Sequence, residues 1–385
     1  GYKGPVYATP GTGDLLGVML PDAAHLQEEE ARYARQKGYS RHLPALPLYT
    51  VENAEQSLML LRPLPVGQSK EIIKGVSLDF GRVGHILGAG SARLSFEVNG
   101  QRRTLMDSGD LGRYSRPILK DPDPAGSADW LLLESTYGDR LHEKNPEFEL
   151  RDLIKETIAQ RGCLVIPAFA VGRTQDLIYT IRKMEDEGEI PAIPVHVDSP
   201  MGLEATEIYC RHPEEHDLEM QQLRSEDKCP LSSHKMVVHK TPEQSKSINQ
   251  FKGPMVIISA SGMATGGRVL HHLKHRLPNA DTTVLFAGYQ AEGTRGRLLQ
   301  DGAKEIKLLG EVIPVHAKIK VFDGFSAHAD QGEILRWLAT FKKPPRLTYL
   351  VHGEPPAATA LAEVIRERLK WKVEIAKFQQ KVFLA

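Results

Sequence analysis

Apolar positions along this chain change period several times, and each change marks a different kind of element. The opening GYKGPVYATPGTGDLLGVML reads as a Gly/Pro turn, a short strand and a helix. LQEEEARYARQKG (26–38) carries acidic residues early and basic ones late, the order that complements a helix dipole. Thr50 caps VENAEQSLMLL, a second helix closed by the Pro63 and Pro65 region. From 71 to 107 the period falls to two: EIIKGVSLDF, a loop VGHILGAGS, then ARLSFEVNGQRRTLMD with Asn99 and Gly100 in its middle. Asn-Gly between alternating runs is a strong hairpin signal. With those two as turn residues Val98 faces Gln101, and the same ladder continued places Asp110 across from Ala89. The loop holding His85 therefore returns to the end of the sheet where Asp110 lies.

WLLLES (130–135) is a strand of buried type. From about 142 to 320 one unit recurs: an apolar strand, a loop of small residues, a helix. It occurs as CLVIPAFAVGR before TQDLIYTIRKM, IPVHVDSPMG before LEATEIY, and MVIISASGMATGG before RVLHHLKHRL. Such alternation predicts a parallel α/β sheet with functional loops at the carboxyl ends of its strands. The charged stretch from about 211 to 250 reads as a helical or loop excursion. After 318 come KIKVF, the corner GFSAHAD, a helix to about 341, RLTYLVHGE, the helix AATALAEVIRERL and a last strand. KIKVF, the first helix and RLTYLV together predict a βαβ unit whose two strands run parallel, which places His328 and His352 at one carboxyl edge. With no low-complexity linker, two domains are expected to interleave.

Composition narrows the class. At 385 residues, 41% hydrophobic and 25% charged, the chain has ample material for a folded core. Lysine plus arginine equals aspartate plus glutamate at 49 each, so any site for a polyanion must be a local patch. Cys163, Cys210 and Cys229 are far apart and odd in number, which suggests neither a disulfide framework nor a CxxC zinc site, and they are expected as buried small residues. No apolar run reaches the roughly 18 residues of a membrane span, and the start has no signal-peptide pattern. The expected location is cytoplasmic, with no membrane partner.

Imidazole and carboxylate groups gathered at a sheet rim suit zinc or a similar borderline metal, so His85, Asp110, His328 and His352 propose a metallohydrolase without naming its substrate. The small-residue loops narrow the substrate. Ser259, Ser261 and a run of glycines precede a helix with Arg268 in its first turn; AVGRT with Arg173 repeats the arrangement, and DSPMG with Ser199 does so without the arginine. Free N–H groups and hydroxyls at helix starts receive phosphate, so the three loops could form a groove for a phosphodiester chain. The plainer reading is that the glycines make tight turns and HHLKH a solvated basic face.

At this point the residues resemble a family closely. The chain looks like a β-CASP ribonuclease of the metallo-β-lactamase superfamily, of the bacterial RNA-processing kind related to the pre-mRNA 3′-end endonuclease. The fold implied is α/β: a metallo-β-lactamase αββα sandwich, shortened at its N-terminus, over 1–141 and 321–385, with an inserted Rossmann-like parallel β-CASP domain over 142–320. By position, His85 in GHILGAGS matches a zinc-binding His, Asp110 in DSGDLG the Asp that bridges two zinc ions, and His352 in YLVHGE a ligand of the second zinc. Glu134 in LLLESTYGDR and His328 in GFSAHAD match the motifs whose histidine protonates the leaving oxygen, with the glutamate hydrogen-bonded to it. A His at position 352 implies RNA rather than DNA as substrate, and the family chemistry implies 5′-phosphate and 3′-hydroxyl products. Single-stranded RNA and two zinc ions are the implied partners, with manganese as the other candidate metal and a homodimer left open. So are endonuclease and 5′-to-3′ exonuclease modes.

Two family motifs are missing from the sequence, an Asp on an early strand and HxHxDH. The expectation is that the chain begins just downstream of them, binds zinc weakly and cuts RNA poorly. Two alternatives stay open: a non-hydrolytic scaffold subunit of an RNA-processing complex, and a small-molecule hydrolase of the wider superfamily.

Overall fold

The Asn99–Gly100 hairpin forms in the expected register, Val98 facing Gln101 and Ala92 facing Asp107. Both turn residues take positive φ, 51° and 73°, the left-handed pair that a two-residue turn of this twist requires. In the computed structural model every residue is described except 39–41, 144, 226–229 and 385, so the expectation for Cys229 lies outside the described residues. Cys163 is buried and Cys210 partly so. The chain divides into two interleaved units, one of Gly1–Leu111, Pro122–Gly138 and Ile334–Ala385, the other of Gly112–Asp121 and Asp139–Glu333. No helix among the described residues is long and apolar enough to cross a membrane.

The first unit is built on a seven-stranded mixed sheet. Four strands run parallel in the order Val373–Ile375, Leu347–Val351, Trp130–Glu134, Gln101–Asp107. An antiparallel meander continues through Gly90–Val98, Val76–Arg82 and Ser69–Ile73. The opening segment gives the strand Val6–Ala8 and the helix Pro10–Lys37, whose N-cap Thr9 accepts from the Thr12 N–H. Thr50 caps the next helix in a reciprocal box with Asn53. That helix stops at Leu58, short of the predicted extent, because Leu61–Pro63 pairs in parallel with Val6–Ala8.

The second unit holds a six-stranded, all-parallel sheet in the order Met236–Val238, Val195–Asp198, Met255–Ser259, Cys163–Pro167, Thr282–Phe286, Lys318–Val321. Its central strands Cys163–Pro167, Met255–Ser259 and Thr282–Phe286 read as largely apolar runs because both faces are covered. Leu164, Ile166, Val256 and Ile258 face one apolar cluster with Leu177 and Ile181, while Val165 and Ile257 face the other with Val269 and Leu273. Part of the 211–250 excursion also joins this sheet as its edge strand Met236–Val238.

One expectation is overturned. Lys318–Val321 pairs with Thr282–Phe286 in the second sheet, whereas Leu347–Val351 pairs with Trp130–Glu134 in the first. The two strands therefore do not form a βαβ unit, and the shared-edge argument for His328 and His352 falls with it. A short strand such as Lys318–Val321 joins a sheet at a free edge, and spacing along the chain does not identify that sheet. His328 lies in the second unit, which runs over Gly112–Asp121 and Asp139–Glu333.

Candidate metal centre and its supports

Topology assembles the first unit's polar residues at one edge of the seven-stranded sheet. The strands before Asp110, Glu134 and His352 are parallel, so their carboxyl ends coincide. The strand beginning at Gly90 is antiparallel to them, so the loop with His85 arrives at the same edge. There His85 Nε2 lies 3.9 Å from Asp110 Oδ2, and His352 Nδ1 lies 3.2 Å from Asp110 Oδ1. One carboxylate thus presents a separate oxygen to each of two imidazoles. That donor set fits a carboxylate shared by two metal ions, each with one histidine.

Each of these three side chains is held by its own clamp. Thr9 and Thr12 donate their hydroxyls to the carbonyl of Gly88, at 2.6 and 2.9 Å, fixing the His85 loop against the start of the long helix. Gly88 has φ +76°, and a Cβ there would lie 2.3 Å from the Thr12 nitrogen. The Glu134 carboxylate is buried and accepts from the backbone N–H of Leu111, immediately after Asp110, and of Thr136 at 3.3 Å. His352 sits at φ +48°, costly for a side chain with a Cβ, and its carbonyl accepts from the Thr136 hydroxyl at 3.1 Å and the Ser135 N–H at 3.3 Å. Residue patterns did not point to Thr9, Thr12 or Thr136; the only available signal was that Thr9 precedes a Pro-initiated helix.

In the second unit, His328 follows the one-turn helix Asp323–Phe325, its N–H donating to Ser326 Oγ at 3.3 Å. Asp330 accepts from the Glu333 N–H at 2.8 Å, and Glu333 returns the bond to the Asp330 N–H at 3.0 Å. All five side chains expected to hold RNA phosphates make hydrogen bonds inside the unit. Ser259 is buried and donates to the Asp198 carbonyl at 2.9 Å. Ser199 is a buried N-cap accepting from the Gly202 N–H at 3.0 Å. Arg268 donates to Asp198 Oδ1 at 2.7 Å and to the carbonyls of His239 and Lys240. Arg173 is buried, donates to the Ala287 carbonyl and lies over the Phe325 ring. Ser261 stays half-buried, its hydroxyl 3.0 Å from that of Thr265. Isolated arginines and serines in small-residue loops look alike in sequence whether they face a ligand or a buried aspartate.

Residues 174–299 match the family described as the Beta-Casp domain, and residues 312–376 that described as the Zn-dependent metallo-hydrolase RNA specificity domain. Over 99% of its length the chain is 35% identical to ribonuclease TTHA0252 of Thermus thermophilus, covering 82% of that protein. The chain belongs to the β-CASP ribonucleases of the metallo-β-lactamase superfamily. Its architecture is accordingly a metallo-β-lactamase-type α/β domain interrupted by a β-CASP domain, whose matched residues hold four of the six strands of the parallel sheet. Other β-CASP relatives are the transcription termination factor FttA of Methanosarcina mazei, 31% identical over 96% of the chain, and an RNase J-like protein of Methanocaldococcus jannaschii, 29% identical over 95%. The chain spans 57% of the length of that termination factor and 80% of the RNase J-like protein.

Proposed function

We propose that this chain carries the metal-binding and leaving-group machinery of a zinc-dependent enzyme that hydrolyses RNA phosphodiester bonds. The observation that carries the reading is the Asp110 carboxylate, one oxygen toward His85 and the other toward His352. Zinc bound by these three residues supplies a Lewis acid for the phosphodiester and for activating water near neutral pH. The rest of the work belongs to the chain. Asp110 sets the spacing of the two histidines; Glu134, through Leu111, fixes the turn that presents Asp110. His328 delivers the proton the departing oxygen needs, a task suited to an imidazole near its ordinary pKa. The family descriptions and the ribonuclease relatives support RNA as the substrate class.

Three donors for two ions, each of which wants about four, make weak zinc binding the expectation for these 385 residues alone. Calorimetric zinc titration tests the assignment. Asp110→Ala should lose zinc by more than the roughly 10–100-fold that removal of an outer-shell partner costs. Unchanged zinc affinity in that variant would sink the assignment, and full zinc occupancy with strong RNA cleavage by the 385 residues would refute the weak-binding expectation.

A further inference from the structure

The sequence stretch ESTYGDRLH ends in an imidazole, His142, eight residues beyond Glu134, for which the roles assigned above have no use. In the second unit its Nε2 lies 2.8 Å from the backbone carbonyl oxygen of His328. A carbonyl can only accept, so Nε2 carries the proton and the bond fixes the ring's tautomer. The same residue's backbone N–H donates to Asp330 Oδ2 at 2.9 Å, while the other Asp330 oxygen caps the following helix. His142 therefore grips the GFSAHAD corner twice, at the peptide bond after His328 and at the carboxylate two residues further on. Arg113 secures the far side of the corner, donating to the Gly324 carbonyl and pairing with Glu333 at 3.3 Å. The charged groups acting on the His142 ring are Arg113, Arg116 and Asp330. Burial first, then the Arg113 charge, pushes its pKa down to about 4, so the ring stays neutral at physiological pH.

We propose that His142 is a positioning residue for His328, its Nε2–H bond to the His328 carbonyl setting the peptide plane from which the proton-donating imidazole projects. The role rests on the reading of His328 given above. Orientation is where such a contact acts, because a displacement of about 1 Å at a reacting group can cost about 100-fold in rate.

The test compares His142→Phe, His142→Gln and His328→Ala in the full-length, zinc-loaded protein on two substrates. On RNA, His142→Phe should lower kcat by about 10–100-fold with KM nearly unchanged. His142→Gln, whose amide nitrogen reaches the place of Nε2, should recover most of it. On bis(nitrophenyl) phosphate, whose leaving group departs without a proton, the loss should vanish. A readout free of turnover comes from nitrogen NMR of the metal-free chain, in which the His142 ring should be the neutral Nε2–H tautomer at pH 6. Equal losses on both substrates, no rescue by glutamine, or a charged ring at pH 6 would overturn the role. An inactive His328→Ala beside a fully active His142→Phe overturns the positioning role alone, whereas full RNA cleavage by His328→Ala overturns the proton-donor reading beneath it.

Discussion

The two units place polar groups at the carboxyl ends of their strands in opposite ways. In the second unit Asp198, fully buried, accepts from Arg268, His272 and Ser245 at 2.7, 2.7 and 2.5 Å. Burial would raise the Asp198 pKa, but the hydrogen bonds from His272, Ser245 and Arg268 outweigh it and hold the carboxyl below its ordinary range. In the first unit the Asp110 side chain is 43% exposed and faces His85 and His352. The imidazoles that burial holds below their ordinary range among the described residues, His142, His196, His216, His239, His271 and His275, all belong to the second unit. One strand-end carboxylate completes a core; the other stays partly exposed between two imidazoles.

The largest contrast should come from removing the two carboxylates in turn. Asp198→Ala strips the partly buried Arg268 guanidinium of its counter-charge and the buried His272 ring of its hydrogen-bond partner, and should cost about 3–5 kcal/mol. Asp110→Ala should change the stability of the metal-free chain by no more than about 0.5 kcal/mol. Denaturant midpoints measure both, and equal losses would erase the distinction. Next in size is Gly88→Ala, which forces a Cβ against the Thr12 nitrogen at positive φ and should cost about 1–3 kcal/mol while weakening zinc uptake through the displaced His85 loop. A stable variant with normal uptake would show that the threonine clamp does not set that loop. The smallest effect is graded acid loosening. His196 is pushed down to about 4 by burial and then by His239, so the unfolded chain takes up its proton at higher pH than the folded one. Its contribution is complete above about pH 6.5 and is lost as pH falls toward 4, as it is for His142. Amide exchange should therefore quicken in the six-stranded sheet before the seven-stranded one over that range; the reverse order would count against the difference in burial.

Local order was legible in advance wherever one short segment contains its own instructions. The Asn99–Gly100 turn sets a ladder that carries His85 and Asp110 to one edge, and Thr50 and Asn53 cap a helix from within four residues of chain. The apolar runs of the second unit announced a parallel sheet because strands covered on both faces cannot alternate. Pairings between distant segments were not legible. Lys318–Val321 follows no rule of spacing in choosing the second sheet, and Arg173, Ser199, Ser259 and Arg268 gave no sign that the fold itself would engage them.

Sequence alone thus determined the elements, the hairpin register and the identity of the metal-binding candidates, since turn chemistry, periodicity and residue type act over a few positions. Which oxygen of Asp110 faces which histidine, that Glu134 holds the turn beside it, and that His142 grips the His328 corner were decided by tertiary structure. Hydrogen bonds between segments as far apart as His142 and His328 exist only once the sheets have brought those segments together, and neither partner's neighbours along the chain encode the other.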